Sequence, residues 1–331
     1  SNKTAQGWMI TYDKLKEMTV QTNGDYILCG YISKQISFPA EDTELGKEVV
    51  INEKNEKHSL IIKYNKEGKI KWASCLSGSG REEYSNVVTD EKNNIYVFGD
   101  YSGNNVIVPY DQTASGEEID IIKNTRYNYM IIKYNEDGKV IYAKGLNSVI
   151  NNMIPGVDDV SLYIYNMDQL TISANESTTG KEITVDPANG YEVCIKFDSN
   201  MKVETIKPLL NQLNVSLKDV VRTSDNGLIF NVTYSSDIVI PSNETVSGKE
   251  IKLLYKSGEE NGCILKVNSN MKVEWEIGCY FDDEGMIELN NSEIIMHTLK
   301  GNILKISKDG QIQSKIDAIQ GKIVYTSTIY T

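Results

Sequence analysis

The sequence predicts an all-β chain assembled from serial four-stranded antiparallel units, and three observations predict it. Two kinds of β-hairpin alternate along the chain, the pair recurs about five times, and helical periodicity is absent. Sheets of this kind repeated in series bury little core alone and stack radially. The expected fold is therefore a β-propeller of about five blades, strands A to D in each, with long B–C loops on one face.

The C–D hairpin is the clearer repeat. Ser59-Leu-Ile-Ile-Lys-Tyr-Asn-Lys-Glu-Gly-Lys-Ile-Lys-Trp-Ala73 and Tyr129-Met-Ile-Ile-Lys-Tyr-Asn-Glu-Asp-Gly-Lys-Val-Ile-Tyr-Ala143 share an Ile-Ile-Lys-Tyr-Asn core, a Gly-Lys pair and the final Ala. Weaker copies run over 193–203, 263–273 and 302–312. The shared lysines are Lys63, Lys133, Lys196, Lys266 and Lys305, read as structural side chains with packed stems and solvated heads. The A–B hairpin precedes each copy: Val20–Gly30, Val88–Gly99, Tyr163–Ser173, Val221–Asn231 and Ile287–His297. In each, a polar turn rich in Asn, Gly or Asp separates two β-rich runs. The expected organisation is one domain over 1–331, with units at 15–78, 82–147, 157–210, 216–280 and 284–319, and with 1–14 and 320–331 as closing or extra strands.

The residues also carry a resemblance. Ile61-Ile-Lys-Tyr-Asn-Lys-Glu-Gly-Lys-Ile-Lys-Trp-Ala73, Gly78-Ser-Gly80, Asn94-Ile-Tyr-Val-Phe-Gly-Asp-Tyr-Ser102 and Val108-Pro109 resemble the bacterial β-propeller repeats of SBBP type. The likeness is good over 59–109 and 129–147 and fades after residue 150, where Trp72 is echoed only by Trp275. It implies a secreted or cell-surface bacterial protein and a scaffold, with no particular reaction.

Composition narrows the function classes. With 34 Lys+Arg against 46 Asp+Glu, the net charge of −12 argues against a nucleic-acid partner. No apolar run reaches the roughly 18–20 residues that would cross a bilayer, so no membrane insertion is expected. No signal peptide is visible; Ser1-Asn2-Lys3 looks like a cloning remnant, and the expected location is extracellular or at the cell surface. Cys29, Cys75, Cys194, Cys263 and Cys279 form no CxxC pair and read as buried small hydrophobes. His58 and His297 leave little material for His-based catalysis.

Strand alternation places the A–B and C–D turns on one side of the blades, and the B–C loops and D–A linkers on the other. Three of the B–C crossings are long, with 24 residues from Pro39 to Lys63, 24 from Pro109 to Lys133 and 25 from Pro241 to Lys266. They hold a recurring insert: Gly46-Lys-Glu, Gly116-Glu-Glu, Gly180-Lys-Glu and Gly248-Lys-Glu. Its regular spacing argues for an ordered rim strand pair. The long-loop face is then the expected interaction face; the alternative is that the inserts cap blade edges against edge pairing.

The expected function is a non-catalytic extracytoplasmic interaction module, binding a protein or glycan, with a carbohydrate-active enzyme as the alternative. Candidate ligand-binding residues are Tyr84, Asp100, Tyr101, Tyr110, Tyr127 and Tyr234, aromatic surfaces with polar tips beside a carboxylate. Acidic residues near the starts of A strands, Glu83, Asp159, Asp219 and Asp283, are candidates for a Ca²⁺ site at a channel mouth or for a glycosidase pair; no other cofactor is expected. The partner is an unidentified protein or glycan, and a monomer is expected.

Overall fold

The structure, a computed structural model, describes residues 14–51, 57–76, 78, 80–103, 105–122, 128–146, 148–156, 159–165, 170–185, 192–209, 215–258, 261–279, 283–289, 291–298, 302–317 and 324–326. Among them there is no α-helix, only strands and short 3-10 turns. Blade 1 is β1 (Lys14–Val20), β2 (Tyr26–Ile32), β5 (His58–Tyr64) and β6 (Ile70–Leu76), paired in that order, with an insert pair β3 (Ile36–Phe38) and β4 (Val49–Ile51) between β2 and β5. Blade 2 repeats this with β7 (Glu82–Thr89), β8 (Ile95–Tyr101), β11 (Tyr129–Tyr134) and β12 (Val140–Leu146), and the insert β9 (Asn105–Val108) and β10 (Ile119–Ile122). In blade 3 the strands are β13 (Val149–Pro155), β14 (Val160–Tyr165), β17 (Glu192–Phe197) and β18 (Val203–Pro208), with insert β15 (Leu170–Ile172) and β16 (Ile183–Val185). Blade 4 holds β19 (Val215–Arg222), β20 (Leu228–Tyr234), β23 (Gly262–Val267) and β24 (Val273–Cys279), with insert β21 (Ile238–Ile240) and β22 (Ile251–Leu253). Blade 5 has β25 (Asp283–Glu288), β26 (Ile294–Thr298), β27 (Asn302–Ile306) and β28 (Ile312–Asp317); it has no insert strands, and β29 (Val324–Thr326) adds a fifth strand outside β28.

Serial four-stranded antiparallel meanders are the blades of a β-propeller, the architecture that the repeat predicts. The third unit differs in register from the expectation. Its A and B strands lie at 149–155 and 160–165, so Tyr163–Ser173 is not the A–B hairpin: Leu170–Ile172 belongs to the insert. The stretch left between the expected second and third units, 147–157, contains strand β13. The cause is a weak turn signal: Gly156 donates its N–H to the Asp159 carbonyl (2.8 Å) in a turn with no Asn-Gly or Asp-Gly pair.

Contacts group into two compact units, one of residues 1–162, 170–184 and 195–205, the other of 163–169, 185–194 and 206–331. In the first, Ile27, Cys29 and Ile61 of blade 1 pack with Tyr84, Val87, Val97, Met130 and Ile132 of blade 2. The alternate residues Leu28, Leu60 and Ile62 pack on the opposite face with Phe38 and Ile51 of the insert. Burial on both faces explains why β5 reads as an unbroken buried run. In the second unit, Ile229 and Ile264 of blade 4 meet Met286, Ile294, Met296, Leu304 and Ile306 of blade 5.

The inserts leave from the side where strand B ends, but they do not project from it. Each folds back along its own blade until its tip reaches the first residue of strand D. Thr43 forms a parallel bridge with Ile70, Thr113 with Val140, Ser177 with Val203 and Thr245 with Val273. The hydroxyl also closes the tip: Thr43 Oγ1 donates to Lys47 O (2.7 Å) and accepts from Lys47 N (3.0 Å), and Thr245 Oγ1 donates to Lys249 O (2.8 Å). The second insert fills the space between neighbouring blades. Val106, Val108 and Ile121 are buried in the cluster that holds Leu76 of blade 1, and Gln112 Nε2 donates to Cys75 O (3.3 Å). These inserts are edge caps and wedges first.

Candidate functional site at the seam of the first two blades

Strand A carries a β-bulge at matching positions: the register slips between Leu15 and Glu17, Tyr84 and Asn86, Leu217 and Asp219, and Asp283 and Gly285. A bulge turns the next side chain out of the pleat and toward a neighbour. Asp219 uses that orientation to accept from its own following amide, Val220 N (2.8 Å), and from Met286 N of blade 5 (2.7 Å). Glu17 does the same toward blade 2, accepting from Val87 N and Asn86 Nδ2, while burial raises its carboxyl above the usual range. Asp219 is thus an acceptor joining two blades.

A cluster of titratable side chains lies where β5 begins beside β7. Glu82 is fully buried, and its Oε2 shares a hydrogen bond with His58 Nδ1 at 2.9 Å. Burial raises its pKa from the ordinary 4.5, against the His58 hydrogen bond and the N–H groups of Gly78 and Gly80. Beside it, Glu83 Oε1 takes Lys57 Nζ at 2.9 Å and lies 3.6 Å from Arg81 Nε. Arg81 Nη2 reaches Asp100 Oδ2 at 2.5 Å, and Lys57 Nζ sits 4.6 Å above the Tyr31 ring. Each carboxylate therefore faces a cation or an imidazole. The Ser next to His58 does not complete a nucleophilic arrangement: Ser59 Oγ donates to Leu76 O (3.2 Å).

The structure sorts the sequence candidates. It brings Glu83, Tyr84, Asp100 and Tyr101 to this one seam, but not as a ligand surface. Tyr84 is 0% exposed and its hydroxyl meets that of Tyr134 at 2.6 Å, so it is core and not a stacking platform. Tyr101 is buried in the same cluster. Asp100 is committed to Arg81. Tyr234 is half-buried, and its N–H donates to Asn261 O (3.0 Å). Among the described candidates Tyr110 alone stands out, 68% exposed on the second insert. Tyr127 lies outside the described residues, as does the side chain of Asp283.

The proposed metal ligands are likewise engaged: Glu83 by Lys57 and Arg81, Asp159 by Lys196 (3.3 Å), Asp219 by backbone N–H groups. Among the described residues no group of three His, Cys, Asp or Glu side chains is placed to hold a metal ion. No described helix is long and apolar enough to cross a membrane.

Three of the five repeated lysines correct another expectation, because the side chains of Lys63, Lys133 and Lys266 are buried, whereas those of Lys196 and Lys305 stay partly exposed. Lys63 is 0% exposed and pairs with Asp25 (3.3 Å) and with Glu136 of the next blade. Lys133 Nζ donates to Ser199 O (2.7 Å), and Lys266 Nζ meets Asp225 (2.5 Å) and Glu274 (3.1 Å). Against the cost of burial, the Lys266 hydrogen bond pulls the Asp225 carboxyl down to about 2. The tryptophans make a matching joint. Trp72 Nε1 donates to Glu136 O (2.9 Å) and its ring lies against Gly138; Trp275 Nε1 donates to Lys308 O (2.9 Å) with its ring against Gly310. His58 and Glu82 stand 24 positions apart on different blades, and no local motif announces them.

Comparison with known proteins adds little beyond this geometry. No family model matches the chain. An uncharacterized WD repeat-containing protein of Acanthamoeba polyphaga mimivirus is 26% identical over 133 residues, a match covering 40% of this chain and 9% of that protein. Among solved structures, the Dos1 propeller aligns over 93% of this chain and 75% of its own at 8% identity, with a TM-score of 0.43. A protein of unknown function from Dyadobacter fermentans aligns over 96% and 83% at 9% identity, with a TM-score of 0.39. At that level neither structure bears on function, and the likeness to SBBP-type repeats rests on the motifs alone.

Proposed function

We propose that this chain is a non-catalytic protein-binding module that presents its insert tips to a partner. The observation that carries the reading is a division of labour among side chains. The titratable groups at the seams are spent joining blades, whereas large apolar side chains stand exposed on the inserts: Leu45 at 76%, Tyr110 at 68% and Val246 at 56%. Around the first two tips lie Glu41, Asp42, Glu44, Glu48, Asp111, Glu117, Glu118 and Asp120, with Lys47 the one cation of those two segments. A partner segment that is basic and carries an apolar or aromatic anchor complements this rim. Glycan stacking and glycosidase readings lose ground because Tyr84 and Tyr101 are buried and Glu83 and Asp100 are paired with cations.

The test is affinity capture from the source organism with the wild-type chain and with a Leu45→Asp/Tyr110→Ala variant. Both changes sit on exposed side chains, so stability should stay within about 0.5 kcal/mol. The reading expects partners to be lost from the variant; an unchanged set of captured proteins refutes it. A cell-surface location belongs to the same proposal, supported by the motif resemblance, and protease shaving of intact cells tests it.

A further inference from the structure

Four Asn-Gly pairs occur in the chain, beginning at Asn23, Asn189, Asn226 and Asn261. In such a pair no Cβ shields the backbone nitrogen that follows the Asn, and that nitrogen can close a ring onto the side-chain amide carbon. The pair at 189 lies outside the described residues, and the structure treats the other three differently. Asn261 is 5% exposed; its Oδ1 accepts from Lys256 N (2.8 Å) and its Nδ2 donates to Lys256 O (2.9 Å). Gly262 is held within β23 between Thr233 and Cys279. Asn23 is exposed, but Gly24 N closes the turn on Gln21 O (2.9 Å), and Asn23 Oδ1 accepts from Asp25 N (2.9 Å).

The A–B turn of blade 4 uses the same frame with the pair moved on by one residue. Asn226 N now closes the turn on Thr223 O (2.9 Å), and Gly227 N donates to the side chain of Asp225 at Oδ1 (3.1 Å). Asn226 therefore takes the left-handed position that Gly24 fills in blade 1, with φ +64°. Its side chain is exposed, and its Oδ1 accepts from Arg222 Nη2 at 2.7 Å. The attacking nitrogen is thus free of the turn-closing backbone bond, and a guanidinium polarises the carbonyl to be attacked.

We propose that Asn226 is a site of spontaneous covalent modification, cyclising onto Gly227 N and hydrolysing to aspartate or isoaspartate, with Arg222 promoting the ring closure. Gly227 N gives its proton to solvent and bonds to Asn226 Cγ. The Cγ–Nδ2 bond then breaks, and Nδ2 takes a proton from solvent and leaves as ammonia. Negative charge developing on Oδ1 faces the Arg222 guanidinium. One water opens the cyclic imide, at Cγ to give aspartate or at the backbone carbonyl carbon to give isoaspartate. The second product adds a methylene to the main chain inside a turn whose Ser224 N and Oγ bond the Glu288 carboxylate of blade 5 (2.7 and 3.0 Å). Modification therefore loosens the joint between blades 4 and 5. The site shares no residue with the insert tips, so either proposal can fail alone.

The experiment is incubation of the full chain at neutral pH and physiological temperature, with peptide mapping by mass spectrometry over time. Conversion at Asn226 should outrun that at Asn23 and Asn261 by about tenfold or more, a ranking that needs no variant. Arg222→Gln should slow Asn226 by about tenfold, the low end for a hydrogen bond from a charged group, and its urea midpoint shows that it is folded. In the aged chain, fragments carrying isoaspartate should accompany faster amide exchange at Ser224. Conversion at Asn23 or Asn261 as fast as at Asn226, no conversion at Asn226, or an unaltered rate in Arg222→Gln overturns the proposed site. Unchanged exchange at Ser224 in the isoaspartate form overturns its effect on the joint.

Discussion

Replacing Gly138 by Ala tests the joint between blades most sharply, because a control lies in the same blade. Gly138 has φ +78°, and a Cβ there would stand 2.6 Å from Cδ2 of Trp72, with two further ring carbons at 2.9 Å. The left-handed backbone alone costs an L-residue about 1–2 kcal/mol. Forcing a methyl into a packed ring adds about 1–3 kcal/mol, since the indole is also held by its hydrogen bond to Glu136 O. Gly138→Ala should therefore destabilise by roughly 2–5 kcal/mol. Gly116, at the tip of the second insert, has φ +74° and no atom within 4 Å of its Cβ position, so Gly116→Ala should show only the backbone part. Urea unfolding of both variants, followed by tryptophan fluorescence and far-UV circular dichroism, gives the difference directly. Removing the ring with Trp72→Ala should abolish most of the excess at Gly138. Equal costs for the two alanines, or an excess that survives the loss of the indole, would refute the tight ring-to-turn contact.

Two further outcomes follow from buried polar groups. The folded chain holds the Glu82 proton more tightly than the unfolded chain, whose carboxyl titrates near 4.5; folding thus takes up a proton in the window above that value, and stability falls as pH rises through it. Glu82→Gln cannot ionise and should flatten that part of the stability–pH curve, and parallel curves for the two chains would count against the effect. Thr43→Val removes the hydroxyl that bonds Ala40 O, Lys47 O and Lys47 N. It should cost about 1–3 kcal/mol and speed amide exchange at Glu44, whose N–H bonds Ile70 O; unaltered exchange there would show that the tip does not depend on the hydroxyl.

Much of the fold was legible because strand order here follows chain order. The Lys-Tyr-Asn hairpins at 63 and 133 and the Asn-Gly turn at 226 are local signals, and each lies in a four-stranded sheet. The spacing from Pro39 to Gly46 likewise announced an ordered insert. Where that insert went was hidden, since the parallel bridge from Thr43 to Ile70 joins residues with no shared motif. A hydroxyl four residues after Pro39, Pro109, Ser173 and Pro241 was the available clue. Tyr84 was misread because a Tyr near a strand start looks the same whether its ring faces water or the next blade; the bulge before Asn86 is invisible in the sequence. The lysines misled for a related reason: an alternating Lys suggests a wet face, and only the arrival of Glu136 from another repeat makes the head of Lys63 a buried one.

The Trp–Gly joint has an evolutionary consequence. Trp72 meets the turn of blade 2 as Trp275 meets that of blade 5, so each fitting has one half on the D strand of one blade and the complementary half on the turn of the blade after it. Tandem duplication of a repeat carrying both halves would yield a copy already matched to its parent, and repeats of this lineage can multiply without inventing a new interface each time.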